Sequence, residues 1–300
     1  ALGAFNAAQW AAFQQVPVPI LFVCEDNGLG ISVPSPPDWI ETLFSRQPCM
    51  RYFQANGLDL LQAYDSVKQA IAYCRRVRAP VFLHYKLTRL LGHAGTDIEI
   101  VYRMRSELES AEANDPLLYS AKTAVELGLS TPKKILERYE SLRKKCFAAA
   151  DKAAQRPKLE TLADVMAPLA PYSAKEVQAE CRRHECQAER IRIYGQEKDL
   201  PERQGPRHLA IQINRALSDL MIKYPQALIF GEDVAKKGGV YTVTSGLAKK
   251  FRNNRVFNTL LDEQTILGLA QGYANLGMLP IPEIQYLAYY HNACDQIRGE

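Results

Sequence analysis

Short apolar segments alternate with amphipathic helical segments in both halves of the chain, and this alternation constrains the fold more than any other feature. The apolar segments are PILFVCED (19–26), PVFLHYKL (80–87), ALIFGED (227–233), VFNTLL (256–261) and LPIPEIQ (279–285). The helical segments cover 4–15, 59–76, 207–224 and 263–276. Near-continuous apolar strands that alternate with helices are typical of a parallel sheet covered by helices on both faces. We therefore predict an α/β protein with two parallel-sheet units.

A highly charged segment separates the two predicted units. Residues 133–203 contain 16 basic and 12 acidic residues, together with prolines that interrupt the helical pattern. Ser173 and Glu176 form a capping-box pattern, and an apolar seam follows at Ala174, Val177, Cys181, His184, Ala188 and Ile191. The sequence predicts three regions: 1–132, a helical connector over 133–206, and 207–300.

Composition excludes several classes of protein. A formal net charge of +4 from 37 basic and 33 acidic residues is too balanced to favour nucleic-acid binding. The longest apolar run, from Val16 to Cys24, is too short to cross a membrane. Seven scattered cysteines favour a reduced, cytoplasmic protein. The first residue is Ala1, and it stands within a helical pattern, so we expect a segment of a longer protein.

Two loops of the first predicted unit carry candidate functional residues. Asp26 and Asn27 follow an apolar strand and precede Gly28 and Gly30. An amide oxygen and a backbone carbonyl are suitable ligands for Mg²⁺, and the glycines allow close approach to a phosphate. An ordinary Asx turn is the alternative, and the pattern alone favours it. His93 follows the next strand, where a histidine could meet a phosphate or shuttle protons, or simply lie on a surface loop.

Acidic residues follow the strands of the second predicted unit. Glu232 ends one strand, and Asp262 with Glu263 opens a helix after the next. Such residues are often helix caps, but a carboxyl group at a sheet edge could protonate a heterocyclic nitrogen. Cys181, His184 and Cys186 suggest a metal site at first sight, but Cys186 points away from the seam, so packing is favoured.

Several segments taken together resemble one enzyme family. They are CEDNGLGIS (24–32), TRLLGHAGTD (88–97), GEDVAKKGGVY (231–241), RVFNTLLDEQTILGLAQG (255–272) and LPIPEIQYLAYYHNACDQI (279–297). The chain resembles the thiamine-diphosphate-dependent decarboxylating component of 2-oxoacid dehydrogenase complexes, in particular the branched-chain type. Residues 1 to about 150 resemble the later part of an alpha chain, and residues from about 207 resemble the opening of a beta chain. The resemblance implies two partial thiamine-diphosphate-binding-fold units in one fused polypeptide.

The resemblance also implies roles for individual residues. Asn27 and the Leu29 carbonyl resemble Mg²⁺ ligands, Gly28 lies beside them, and His93 resembles a histidine that meets the cofactor diphosphate. Glu263 resembles the glutamate that hydrogen-bonds the aminopyrimidine ring. The other residues that resemble the surroundings of that ring are Glu232, Leu261, Gln285 and Tyr289.

The implied function is oxidative decarboxylation of a 2-oxo acid, with acyl transfer to the lipoyl group of a partner acyltransferase. Thiamine diphosphate and Mg²⁺ are the implied cofactors, and a homodimer of fused chains is the implied assembly. The family's Gly-Asp-Gly motif would lie upstream of Ala1, while Leu260 and Glu25 depart from the common pattern. Two alternatives are an assembly or regulatory fragment that does not bind cofactor, and a transketolase-like enzyme.

Overall fold

The structure, a computed structural model, describes residues 2–168, 172–183 and 186–299. It divides the chain into two compact units: an N-terminal unit of residues 8–165, and a C-terminal unit of residues 166–300 together with 1–7. Each contains a three-stranded parallel sheet with helices, so the predicted α/β class is confirmed. Across the described ranges, every helix is too short or too polar to cross a membrane. All seven cysteines are described, and each is a free thiol.

The N-terminal unit is built around a parallel sheet with strand order β1-β5-β4. Its elements are α1 (Leu2–Phe13, whose first residues belong to the other unit), β1 (Leu21–Asp26), β2 (Leu29–Gly30), β3 (Val33–Pro34), α2 (Trp39–Phe44), β4 (Arg51–Asn56), α3 (Leu60–Val77), β5 (Val81–Lys86), a 3₁₀ turn (Glu99–Val101), α4 (Arg105–Ala113), α5 (Pro116–Glu126) and α6 (Pro132–Ala154). Sequence reasoning predicted β1, β5 and α3 but missed β4.

The central strand β5 forms the core of this sheet. Its first four residues are buried, and Ala70 and Cys74 of α3 cover two of them, Val81 and Leu83. Asp59 begins α3 by accepting hydrogen bonds from the amides of Leu61 and Gln62, which otherwise lack helical partners. Because β1 and β5 pair in parallel, their carboxyl ends lie side by side, and the loops that follow them meet at one edge of the sheet.

Helix α6 is mostly solvent-exposed. None of its 23 residues is buried, although Thr131 caps it and Pro132 begins it in the geometry that a first turn favours. Such a helix depends on its own capping and propensity more than on a core. It agrees with the solvated character predicted for the first part of the charged segment.

The C-terminal unit contains a parallel sheet with strand order β7-β6-β8. Its region begins at the end of α7 (Leu162–Met166) and continues with α8 (Ala174–Cys181), α9 (Gln187–Tyr194), 3₁₀ turns (Glu197–Asp199 and Pro201–Arg203), α10 (Leu209–Lys223), β6 (Ala227–Gly231), α11 (Leu247–Phe251), β7 (Val256–Asn258), α12 (Glu263–Asn275), β8 (Leu279–Pro282), a 3₁₀ helix (Leu287–Ala293) and α13 (Cys294–Gly299). All five residues of β6 are buried. Burial of a side chain such as Ile229 contributes about 2 kcal/mol to the free energy of unfolding.

The second part of the charged segment packs against α10 of the C-terminal unit. The Tyr224 hydroxyl donates to Glu180 at 2.6 Å, and Arg190 donates to Asp219 at 2.9 Å. Hydrogen bonds from Arg183 and Tyr224 lower the pKa of Glu180 to about 2. Leu200 is almost fully buried, at 1% exposed. This part of the segment is therefore held on the unit by ion pairs and by apolar residues, which include Leu200, Ile193 and Tyr194.

The apolar seam predicted from Ala174 to Ile191 does not lie on one helix. The structure ends α8 at Cys181 and begins α9 at Gln187, so the periodicity continues across a helix break. Ser173 does cap α8, accepting from the Glu176 amide at 3.3 Å. His184, which belongs to the seam and to the rejected metal cluster, lies outside the described residues. The predicted boundaries at 132 and 206 stay a prediction.

Candidate functional site

Two successive Asx turns form the loop after β1. Asp26 Oδ1 accepts from the Gly28 amide at 2.9 Å, and Asn27 Oδ1 accepts from the Leu29 amide at 3.0 Å. Gly28 has φ +73°, a left-handed conformation that glycine adopts without strain, and the space beside its Cα is open. The Asx-turn interpretation therefore describes the local geometry. It is compatible with metal binding, because a carbonyl oxygen has a second lone pair.

The loop after β5 is shaped by a compact network of charged and polar side chains. The Asp97 carboxylate accepts from the His93 amide at 2.6 Å and from the Tyr102 hydroxyl at 3.0 Å. Arg89 donates to Glu99 at 2.9 Å and to Tyr102 at 2.6 Å. The His93 amide is the largest cause of the lowered pKa of Asp97, to which Tyr102 and Arg89 add. The His93 side chain remains exposed at the tip of the loop.

Arg89 also connects the two loops of this unit. Its guanidinium donates to the Ile31 carbonyl at 2.6 Å while it holds Glu99 and Tyr102. The loop is tight: a Cβ added to Gly92 would lie 2.5 Å from the Asp97 carbonyl oxygen, so only glycine fits there. One partly buried arginine thus fixes both the Asn27 loop and the His93 loop.

Carboxyl groups gather beyond the carboxyl ends of the C-terminal strands. Glu232 follows β6, Glu283 follows β8, and Glu263 opens α12 after β7. Glu263 is only 8% exposed, and Asn292 donates to its Oε2 at 3.3 Å. A buried carboxyl group at a helix N-terminus is stabilised by the exposed amides of the first turn. The structure therefore places Glu232 and Glu263 near each other at the sheet edge.

Burial and mutual repulsion raise the pKa of two of these carboxyl groups. Burial is the main cause for Glu232, and the charges of Glu263 and Asp233 add to it. Burial is also the main cause for Glu283, and the charges of Glu232 and Asp233 add to it. The Oε2 atom of Glu283 is buried without a hydrogen-bond partner. These groups favour the protonated form more than an exposed glutamate does.

The remaining predicted residues of this unit are distributed around the same edge. Gln285 donates to Asp233 at 3.2 Å, which directs its amide toward the end of β6. Tyr289 stacks edge-on against Tyr286, with ring centroids 5.5 Å apart, and stays 42% exposed. Leu261 is 82% exposed. Within this unit, Leu261 and Tyr289 present free apolar surface, whereas Glu232, Glu263 and Gln285 are partly or fully enclosed.

The donor types fit the implied cofactors in part. Asn27 provides an amide oxygen beside an open glycine turn, which suits a hard cation and an anionic diphosphate. Among the described residues, no group of three or more His, Cys, Asp or Glu side chains could hold a metal ion. Asn27 and the Leu29 carbonyl would therefore supply a minority of the ligands of Mg²⁺, and the diphosphate oxygens would supply others.

Sequence reasoning missed the residues that shape the loops. Arg89, Asp97 and Glu99 are ordinary charged residues in sequence, and their partners lie across a loop rather than at a helical or strand spacing. Glu283 stood inside a recognised segment without a role. Its carboxyl group follows β8 as Glu232 follows β6, and this parallel placement was the available indication.

Comparisons with known proteins agree with this arrangement. The dehydrogenase E1 component family matches residues 3–161, and the transketolase pyrimidine-binding domain family matches residues 195–300. The chain is 49% identical over 85 residues to the 3-methyl-2-oxobutanoate dehydrogenase subunit beta of Mycobacterium tuberculosis, covering 28% of this chain and 24% of that protein. It is 44% identical over 88 residues to the pyruvate dehydrogenase E1 component subunit beta of Staphylococcus epidermidis, covering 29% and 27%.

These matches place the chain in the class of thiamine-diphosphate-dependent 2-oxoacid dehydrogenase components. Because the first match covers more than half of the chain, the chain belongs to the dehydrogenase E1 component family. The resemblance drawn from the sequence motifs is thereby confirmed. The chain spans about a quarter of the length of the curated relatives it matches.

Proposed function

We propose that the full-length protein is a decarboxylating E1 component that acts on a branched-chain 2-oxo acid and transfers the acyl group to the lipoyl group of an acyltransferase. Thiamine diphosphate and Mg²⁺ are its cofactors in this proposal. The observation that carries the proposal is the buried carboxyl group of Glu263, held at the start of α12 beside Glu232. The mycobacterial relative is named for a branched-chain substrate, which supports that choice over pyruvate.

Each predicted residue has a task that its surroundings support. The Glu263 carboxyl group would hydrogen-bond a nitrogen of the aminopyrimidine ring, and the burial of Glu263 would strengthen that hydrogen bond. Asn27 and the Leu29 carbonyl hold the metal, and the exposed His93 lies where it can meet the diphosphate. When bound, thiamine diphosphate supplies the electron sink for loss of CO₂.

Assembly is a further part of the proposal. Leu261, Leu276 and Leu287 are 82%, 80% and 85% exposed in the C-terminal unit, and such side chains are often covered in an assembly. A homodimer of fused chains would cover them with a two-fold interface. A cytoplasmic location is proposed on the same footing, from the seven free thiols.

The decisive experiment replaces Glu263 in the full-length protein. Glu263→Gln keeps the size and removes the acid–base function of the carboxyl group, so decarboxylation should fall by about 10²-fold or more. Rates should be measured with 3-methyl-2-oxobutanoate and with pyruvate, so that the substrate class is read from the same preparations.

Asp262→Asn is the matched control, because Asp262 is adjacent and its carboxylate contacts Thr265 as part of the helix start. Its rate should stay within a few-fold of the wild-type rate. Equal losses in both variants, or full activity of Glu263→Gln, would refute the assignment. A transketolase-like enzyme would instead transfer a two-carbon unit between sugars. It would therefore release no CO₂ in the same assay.

A further inference from the structure

Three neighbouring strands of the N-terminal unit contribute one polar side chain each to a partly buried hydrogen-bonded chain. The Tyr52 hydroxyl lies 2.7 Å from His84 Nδ1, and His84 Nε2 lies 2.8 Å from Asp26 Oδ2. His84 is 2% exposed, although it stands in the middle of an apolar strand. Burying the polar side chain of His84 costs free energy that an apolar residue at position 84 would not cost. The presence of a histidine there therefore suggests a role beyond packing.

The register of the sheet explains how these three side chains meet. In β1, Cys24 pairs with His84 of β5, and in β4, Gln54 pairs with the same histidine. Side chains alternate faces along a strand, so Asp26 and Tyr52, each two residues from a partner of His84, share its face. The chain therefore runs diagonally across the sheet, from β4 through β5 to the last residue of β1.

The protonation states follow from the donors and acceptors. Burial, with negative charges nearby, raises the pKa of Tyr52 to about 12, so its hydroxyl keeps its proton and is able to donate to Nδ1. Burial would raise the pKa of Asp26, but hydrogen bonds from the Gly28 amide and His84 outweigh it and lower the pKa. The tautomer with its proton on Nε2 donates to Asp26 and accepts from Tyr52, which satisfies all three groups at once.

Asp26 connects this chain to the loop that carries the proposed metal ligands. While His84 holds Oδ2, the other oxygen accepts from the Gly28 amide and forms the first Asx turn. Asn27 lies between Asp26 and Gly28, which this hydrogen bond connects, and its own Asx turn to the Leu29 amide follows directly. With both carboxylate oxygens fixed, the Asp26 side chain cannot rotate away from the turn.

We propose that Tyr52, His84 and Asp26 are positioning residues that hold the Asn27 loop in its cofactor-binding conformation before any cofactor arrives. The inference rests on the proposed function for its consequence in binding, but the order of the loop is a property of the chain itself. A loop that is only partly in the competent conformation binds more weakly in proportion to that fraction. Preformation of the loop removes this loss.

Two amide variants of His84 separate its two hydrogen bonds. The glutamine side chain can place its nitrogen near the position of Nε2, so His84→Gln retains the bond to Asp26. Asparagine reaches only the position of Nδ1, so His84→Asn loses that bond. A cavity of about 120 Å³ lined by Asp26, His84 and Lys86 leaves room for the longer glutamine.

The first measurement is amide hydrogen exchange over residues 25–31 in the full-length protein without cofactor. His84→Asn should accelerate exchange at Gly28 about tenfold, and His84→Gln, which loses only the bond to Tyr52, should accelerate it no more than about threefold. Equal acceleration in both variants, or none in His84→Asn, overturns the proposal. Tyr52→Phe is isosteric and should accelerate exchange about threefold. Should His84→Asn fail to fold, an unchanged rate in Tyr52→Phe overturns the proposal instead.

The second measurement is the Mg²⁺-dependent affinity for thiamine diphosphate by calorimetry. His84→Asn should weaken it about tenfold, and His84→Gln should restore it to within twofold of the wild type. A wild-type protein that binds no cofactor would refute the proposed function, and the exchange data alone would then decide the role of His84. Accelerated exchange with unchanged affinity would overturn the positioning role while leaving the proposed function intact.

Discussion

The two units treat the carboxyl groups at their sheet edges in opposite ways. In the N-terminal unit, Asp97 and Glu99 accept from amide, hydroxyl and guanidinium groups, and their pKa values are lowered. In the C-terminal unit, Glu232 and Glu283 lie near other carboxyl groups in partly buried positions, and their pKa values are raised. The carboxyl groups of Asp97 and Glu99 are therefore held as anions at one edge, whereas Glu232 and Glu283 at the other protonate more readily than exposed glutamates do.

This difference corresponds to the chemistry that each edge would perform. A loop that receives an anionic diphosphate needs rigidly held hydrogen-bond donors. Ion pairs between arginines and carboxylates keep such a loop in place. A site that moves protons needs carboxyl groups whose pKa values lie closer to neutral pH. The contrast can be tested separately in each unit.

The largest expected effect breaks the N-terminal edge at its proposed metal ligand. Asn27→Ala in the full-length protein should weaken Mg²⁺-dependent thiamine diphosphate binding by about 10- to 100-fold, because an oxygen donor and an Asx turn are both lost. Calorimetry gives the affinity directly. Ser32→Ala, at an exposed position of the same loop, is the control and should bind as the wild type does. Unchanged affinity in Asn27→Ala would contradict the ligand assignment.

The next effect concerns the arginine that joins the two loops. Arg89→Met removes donors to Ile31, Glu99 and Tyr102, so residues 90–103 should open locally and thermolysin should cleave them about fivefold faster. Arg105→Met is the matched control, since Arg105 pairs with Glu109 on the exposed helix surface. If both variants are cleaved at the same rate, Arg89 does not anchor the loop.

The sequence predicted the sheets well because their central strands are apolar. The run PVFLHYKL contains β5, and ALIFGED contains β6, whose burial is complete. Strand β4 was missed because RYFQAN mixes polar and aromatic residues and gains its place only by pairing with β5. The periodicity of apolar residues in a sequence reflects which side chains are buried. An edge strand that is only partly covered therefore shows a weak hydrophobic pattern.

The candidate residues at strand ends were also predictable, because parallel strands bring their carboxyl ends together. Their surroundings were not. His84 has the sequence context of a core histidine, and only the diagonal geometry of three strands reveals its contact with Asp26. The partners of Arg89 depend on the path of a loop, which no spacing rule determines. Sequence patterns predict which edge carries the chemistry, and tertiary structure decides which carboxyl groups are paired.

The smallest expected effect sharpens the contrast through the pH dependence of stability. Because the folded-state pKa of Glu232 is raised above 4.5, the folded protein binds more protons than the unfolded chain, and stability falls as pH rises through the folded pKa. Glu232→Gln cannot ionise and escapes this loss. Its thermal midpoint should therefore exceed that of the wild type by about 2 °C at pH 7 and match it near pH 4.

Glu99→Gln should show the opposite sign, which makes it the control for that measurement. Hydrogen bonds from Arg103 and Arg89 lower the pKa of Glu99, although burial opposes them, so its contribution to stability is present above 4.5 and is lost as pH falls through the folded pKa. The variant should have a lower midpoint than the wild type at pH 7, and the difference should shrink in acid. Calorimetric scans of Glu232→Gln and Glu99→Gln between about pH 4 and pH 7 test this contrast. Shifts of the thermal midpoint with the same sign in both variants would mean that the two edges do not differ in their electrostatics.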